Sequence, residues 1–163
     1  MLRHRRFASA AFGTALAASA ACSEARTAST CGPIIREALD PAYVVHVLGE
    51  PTDVTYRSEP PTSGPHQPGP EAGGVLARPL SRPRQVGILE QGGILIQHLP
   101  DLASPAVEQL ESLAGPGVVV APNADLPAPI VATAWTYKRT CDAVDLASLR
   151  QFVAQRGGKG PED

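Results

Sequence analysis

His46, His66 and His98, together with Glu90, are the side chains whose types suit a borderline transition metal. Neutral imidazole nitrogen is a ligand for both zinc and copper, and a carboxylate can complete either site. His66 ends the string Pro60-Pro61-Thr62-Ser63-Gly64-Pro65-His66. Three prolines fix much of the backbone before the imidazole arrives, so the string is a stiff mount for a ligand or a base. The competing reading is that His66 only hydrogen-bonds this loop to the body of the protein. His46 and His98 lie in apolar runs, where a lone histidine is more often a core or surface residue than a ligand. In the alternative reading of a copper or zinc site, His46 and His66 are its centre, with His98 and Glu90 as further candidate ligands. Ser63, His66, Glu90 and Gln91 are the residues expected to meet any other bound ligand.

Other chemistry finds little support. Ser63 precedes His66 by three residues, but no Gly-x-Ser-x-Gly elbow is present. A Ser–His pair in one turn lacks an oxyanion hole and a third group. Asp142 and Asp145 flank a helix start and read as capping residues. Gly157-Gly158-Lys159-Gly160 lacks phosphate-loop spacing and follows a helix instead of preceding one. There is no Gly-x-Gly-x-x-Gly run, and no catalytic residue is named.

The elements that must position these residues follow from periodicity. Residues 34–39 suit a short helical turn stopped by Asp40-Pro41. Residues 43–48, rich in β-branched side chains, read as a strand. Residues 54–56 read as a second short extended piece. The stretch from 58 to 83 is rich in Pro and Gly and accepts no regular element; long loops in compact domains are usually functional or disordered. Ile94-Leu95-Ile96 begins a strand with Ile94, Ile96 and His98 on one face. Ser104 and Pro105 open a helix whose stripe is Val107, Leu110, Leu113 and Ala114, stopped by Gly115-Pro116. Residues 118–120 and 130–137 are strand-like. A second helix starts at Asp145, buries Leu146, Leu149, Phe152 and Val153, and ends at Gly157. This order predicts an α+β fold. It has a single mixed or antiparallel sheet, two main helices packed on one face, and a long Pro/Gly-rich loop.

Residues 1–21 read as a secretory signal: Arg3, His4, Arg5 and Arg6, then an uncharged Ala-rich run ending in small residues. Ala18-Ser19-Ala20 suits an ordinary signal peptidase. Ser19-Ala20-Ala21-Cys22 resembles a lipobox, in which Cys22 would be lipidated and become the new N-terminus, although Ser19 stands where such motifs favour Leu. The twin arginine Arg5-Arg6 lacks its usual surroundings. Residues 22–42 are expected to be a tether and helical turn, and residues 43–163 one domain. Of fourteen basic residues, three leave with residues 1–21, while all sixteen acidic residues stay. The remaining chain is acidic, which argues against binding a phosphate backbone. A membrane would be met only through the lipid anchor. Apart from Cys22, the cysteines are Cys31 and Cys141. In an oxidising compartment they are expected to pair, closing a loop worth ~4–5 kcal/mol by chain entropy. The alternative is a Cys31 in a loose tail and an unpaired, buried Cys141.

Four strings resemble one family in order. They are Pro60-Pro61-Thr62-Ser63-Gly64-Pro65-His66, Leu89-Glu90-Gln91-Gly92-Gly93-Ile94-Leu95-Ile96, Thr133-Ala134-Trp135 and Gly158-Lys159-Gly160-Pro161-Glu162. The family is the uncharacterised bacterial secreted family catalogued as domain of unknown function number 3105, and the resemblance covers residues 43–162. It implies an envelope location and carries no activity with it. It also implies His-x-x-Glu-His where this chain has Gly87-Ile88-Leu89-Glu90-Gln91. Two imidazoles and a carboxylate at that spacing suit zinc or copper, in the order of an inverted zinc-peptidase motif. Gly87 offers no ligand and Gln91 a poor one. The expected function is therefore a non-enzymatic binding or accessory module of the envelope, with a protein or small ligand as partner. The alternatives are a metal-binding protein using His46 and His66, and an extracytoplasmic hydrolase.

Overall fold

A computed structural model describes residues 28–49, 54–69 and 73–161. The expected signal segment, the lipidation residue Cys22 and the first part of the expected tether lie outside the described residues. No helix among the described residues is long and apolar enough to cross a membrane.

Among the described residues, six strands form one mixed sheet and three helices cover it, an α+β fold. The strands are β1 (Ile35–Arg36), β2 (Gly74–Val75), β3 (Ile94–His98), β4 (Val118–Pro122), β5 (Ile130–Ala134) and β6 (Tyr137–Cys141). The helices are α1 (Arg82–Glu90), α2 (Ser104–Glu111) and α3 (Leu146–Arg156). The sheet order is β1-β6-β5-β3-β4-β2. β3 and β4 run parallel, as the connection through α2 demands, and β2 adds parallel to β4. The pairs β3–β5, β5–β6 and β6–β1 are antiparallel. The central strands β3 and β5 are buried along their whole length, so they read as near-continuous apolar runs.

The sheet has a core on each face, and the two-residue period of its strands divides the side chains between them. Ile94, Ile96, Val118, Val120, Ile130 and Ala132 meet Leu110 of α2 and Leu149 and Phe152 of α3. Leu95, Val119, Ala121 and Trp135 meet Val86, Ile88 and Leu89 of α1, with Tyr43, Tyr56, Leu76 and Leu80 at the margin. The helices read from the sequence as α2 and α3 do share one face. The opposite face is covered by a third helix and by the irregular segment before it, giving three layers.

Asp145 caps α3 by accepting the Ser148 amide at 2.9 Å, and Gly157 stands just past the last residue, both as the sequence reading predicts. Five local expectations differ. The 58–83 stretch, expected to accept no regular element, holds the edge strand β2 at Gly74–Val75 and the first residues of α1. Residues 34–39 hold the edge strand β1 instead of a helical turn. Ile35 and Arg36 stand in register with Lys138 and Tyr137, and the Glu37 amide donates to the Thr136 carbonyl at 2.8 Å. Residues 43–48 form no strand, because Asp40 closes a turn: its carboxylate accepts the Ala42 amide and its carbonyl the Tyr43 amide. Residues 54–56 pair with no strand. Residues 130–137 are not one strand: β5 ends at Ala134, the chain turns at Trp135-Thr136, and it returns as β6 from Tyr137. Thr136 has φ 58°, a left-handed conformation unusual for a β-branched residue.

Helix α1 has no counterpart in the sequence reading. Pro83, Gln85, Val86, Gly87, Ile88 and Leu89 are all buried, so it shows no polar stripe, and a glycine stands in its middle.

Candidate functional site

Residues 60–66 run through the interior of the protein, and each of them is buried. The string is tied down along its length. The Asp40 amide donates to Ser63 Oγ at 2.9 Å, and the Thr136 amide donates to the Thr62 carbonyl at 3.0 Å. The Tyr56 hydroxyl donates to the Pro65 carbonyl at 2.8 Å. Gly64 has φ 130°, and a Cβ there would stand 3.0 Å from the Tyr56 ring, so glycine is required on both counts.

His66 ends this string with a relative exposure of 2 %. Its backbone forms a parallel bridge to the 45–47 segment: the His66 amide donates to the Val45 carbonyl, and the Val47 amide donates to the His66 carbonyl. That bridge sets the exposed His46 beside it. The two imidazoles meet edge to face with ring centroids 4.8 Å apart. His66 Nδ1 is 3.1 Å from the Gly64 carbonyl, which can only accept, so Nδ1 carries the proton. Nε2 is then the lone-pair nitrogen. It is buried and has no hydrogen-bond partner. A buried imidazole nitrogen without a partner is uncommon, since such groups are usually satisfied.

The other expected ligands do not join this pair. His98 lies at the end of β3 with Nδ1 2.9 Å from the Leu99 carbonyl. Among the described residues, no three of His, Cys, Asp or Glu come together as a metal cluster. Ser63 spends its hydroxyl oxygen on the Asp40 amide. It also lines a cleft of about 410 Å³ with Glu37, Ala38, Arg57, Ser58 and Thr62. Glu90 and Gln91 close α1, and the Gln91 amide donates to the Gly69 carbonyl. Cys31 and Cys141 face each other across an antiparallel bridge and are joined by a disulfide.

Glu37 escaped the sequence reading. Its carboxylate accepts from Ser58 Oγ at 2.6 Å, from Thr62 Oγ1 at 2.7 Å and from Lys138 Nζ at 2.9 Å. Burial pushes this carboxyl up, but the hydrogen bonds from Ser58, Lys138 and Thr62 and the Lys138 charge outweigh it and hold it below the ordinary range. No spacing in the sequence links Glu37 to Lys138, and the partners meet only because β1 pairs with β6.

Residues 46–163 match the family described as a protein of unknown function, DUF3105. The chain belongs to that family. No curated protein matches it, and neither does any solved structure.

Gly87, where the resemblance implies the first imidazole of a His-x-x-Glu-His string, leaves no room for a side chain. A Cβ on Gly87 would stand 2.2 Å from the Gln67 carbonyl oxygen. The segment after His66 therefore packs directly on the α1 backbone at Gly87. The Gln67 amide donates to the Pro83 carbonyl at 3.1 Å and holds the two segments together.

Proposed function

We propose that this chain is an exported, non-enzymatic binding module whose ligand site is the His46–His66 pair at the end of the Pro-rich string. The observation that carries this reading is the buried, unpartnered Nε2 of His66 beside an exposed second imidazole. A stiff, fully bonded loop holds the buried ring, while the exposed ring is able to adjust its rotamer to an incoming group.

A copper or zinc ion is the ligand this arrangement suits best. Metal-bound histidines usually donate their other ring N–H to a carbonyl or carboxylate, which fixes the tautomer. The Gly64 carbonyl occupies that place for His66. Two imidazoles supply half of a four-coordinate shell, so water or a partner group would complete it. Export and lipid attachment at Cys22 belong to the same proposal and rest on the character of residues 1–22.

Native mass spectrometry of protein taken from an envelope fraction without chelator, then replenished with copper or zinc, tests the metal reading. One bound ion per chain is expected, lost in His46→Ala and in His66→Ala. His46 is exposed, so its substitution separates loss of metal from loss of fold. No bound ion after replenishment would overturn the metal reading. The same spectra report the mass of the N-terminus and hence whether residues 1–21 are removed and Cys22 is acylated.

A further inference from the structure

We infer that a second cleft, bounded by β1, the β5–β6 turn and the C-terminal segment, binds a small oxyanion carried on a flat apolar body. The cleft encloses about 430 Å³, a volume suited to a small molecule. Three cations from distant parts of the chain line it: Arg36 on β1, Arg156 at the end of α3, and Lys159 beyond it. No carboxylate stands among its described lining residues. None of the three cations forms an ion pair with a described residue, whereas Lys138 and Arg82 each pair with a glutamate. Gathering unpaired positive charge in one concavity of a net-acidic chain costs electrostatic energy, and an anion would offset it.

The geometry narrows the ligand. The Arg156 guanidinium lies 3.6 Å from the Tyr137 ring centroid, which fixes the plane of its donor fork. Its Nε is buried and has no acceptor among the described residues. A planar fork with an unfilled donor matches carboxylate or phosphate oxygens better than a point charge does. Arg36 approaches the same ring at 6.0 Å. Trp135, Leu39 and Ala134 supply an apolar lining for the body of the ligand. The C-terminal segment is anchored as a wall: the Gly158 amide donates to the Gly92 carbonyl at 2.9 Å, and the Gly160 backbone sits against the Glu90 carbonyl. Nothing here depends on the His46–His66 pair.

Trp135 is the sole tryptophan of the chain and lines this cleft, so its fluorescence reports occupancy directly. The full chain is titrated with phenyl phosphate, benzoate, inorganic phosphate and phenol. Saturable changes with phenyl phosphate or benzoate are expected, and which of the two binds tighter identifies the oxyanion. Phenol and inorganic phosphate should bind at least about tenfold more weakly, each lacking one half of the ligand. Arg156→Gln should weaken binding about tenfold or more, the worth of one charge-assisted hydrogen bond. Arg156→Lys should recover only part of the loss. Arg36→Gln, an exposed change, repeats the test without disturbing α3. No saturable response, or equal affinity for phenol, would overturn the inference. So would binding that emerges only in the double variant Glu162→Ala and Asp163→Ala, because the chain's own carboxylates would then be the occupant.

Discussion

The amide of Thr136 donates to the carbonyl of Thr62 at 3.0 Å, joining the turn between β5 and β6 to the buried Pro-rich string. On its other side the Thr136 carbonyl accepts the Glu37 amide at 2.8 Å. Thr136 is thus held from both sides in its left-handed conformation, φ 58°. Such a conformation costs an L-residue roughly 1–2 kcal/mol, and surrounding bonds must over-determine it.

Thr136→Gly should therefore stabilise the protein by about 0.5–1 kcal/mol, the released strain exceeding the extra backbone entropy of glycine. Thermal unfolding of the variant checks this, with a higher Tm expected. A lower Tm would mean that contacts of the Thr136 side chain, which is buried, outweigh the strain.

Acid should weaken the fold partly through Glu37. Its folded pKa is depressed, so its contribution is present above the ordinary glutamate value and is lost as pH falls through the folded value. Asp145 is lowered as well, by the Ser148 amide first and then by the hydroxyls of Ser29 and Ser148, so it adds to the same trend. Glu37→Gln should cost about 2 kcal/mol at neutral pH, since it leaves the buried Lys138 ammonium without its counter-charge. The gap between wild type and variant should close as pH falls below the ordinary carboxylate range. Urea unfolding at stepped pH measures it, and a gap that stays constant with pH would remove Glu37 from the account.

The elements legible in the sequence are those whose pattern is local. Leu149 and Phe152 recur at helical spacing, with Asp145 and Gly157 as caps, and α3 is found there. Ile94 and Ile96 alternate as β3 does. The β5–β6 hairpin was hidden because Trp135-Thr136 is not turn chemistry, and the left-handed residue is a threonine instead of a glycine or asparagine. Helix α1 was hidden because burial on nearly every side erases the stripe that announces a helix. The site was half legible. Residue type and the stiff Pro-rich mount singled out His46 and His66 as candidates, but only a bridge between two irregular segments makes them neighbours. Arg36, Arg156 and Lys159 meet through the pairing of β1 with β6 and the docking of α3, which no spacing encodes.

The disulfide fastens the first described segment to the sheet. Cys31 and Cys141 are separated by 110 residues, and Gly32 and Thr30 flank the bridge with backbone bonds to Thr140 and Asp142. A loop of this length is worth about 5 kcal/mol by chain entropy, acting on the unfolded state. Replacing both cysteines by serine should lower stability by roughly that amount in urea unfolding and leave the spectrum of the folded state unchanged. A loss below about 1 kcal/mol would mean that the backbone bonds alone hold the segment, since those bonds survive the substitution.

Gly87 is the tightly packed glycine of α1. A side chain there must displace the Gln67 carbonyl, which is backbone and is itself held by the Gln67–Pro83 bond. Gly87→Ala should therefore destabilise the protein by about 1–3 kcal/mol, although alanine is the better helix former. Gln91 is exposed and loses only one hydrogen bond to Gly69, so Gln91→His should cost under about 1 kcal/mol. The double change Gly87→His and Gln91→His supplies two imidazoles around Glu90 but not the space for the first of them. It should bind no additional zinc or copper in native mass spectrometry. A gain of one ion would show that the segment after His66 moves off α1 and that the packing, not the missing imidazoles, is the adjustable part.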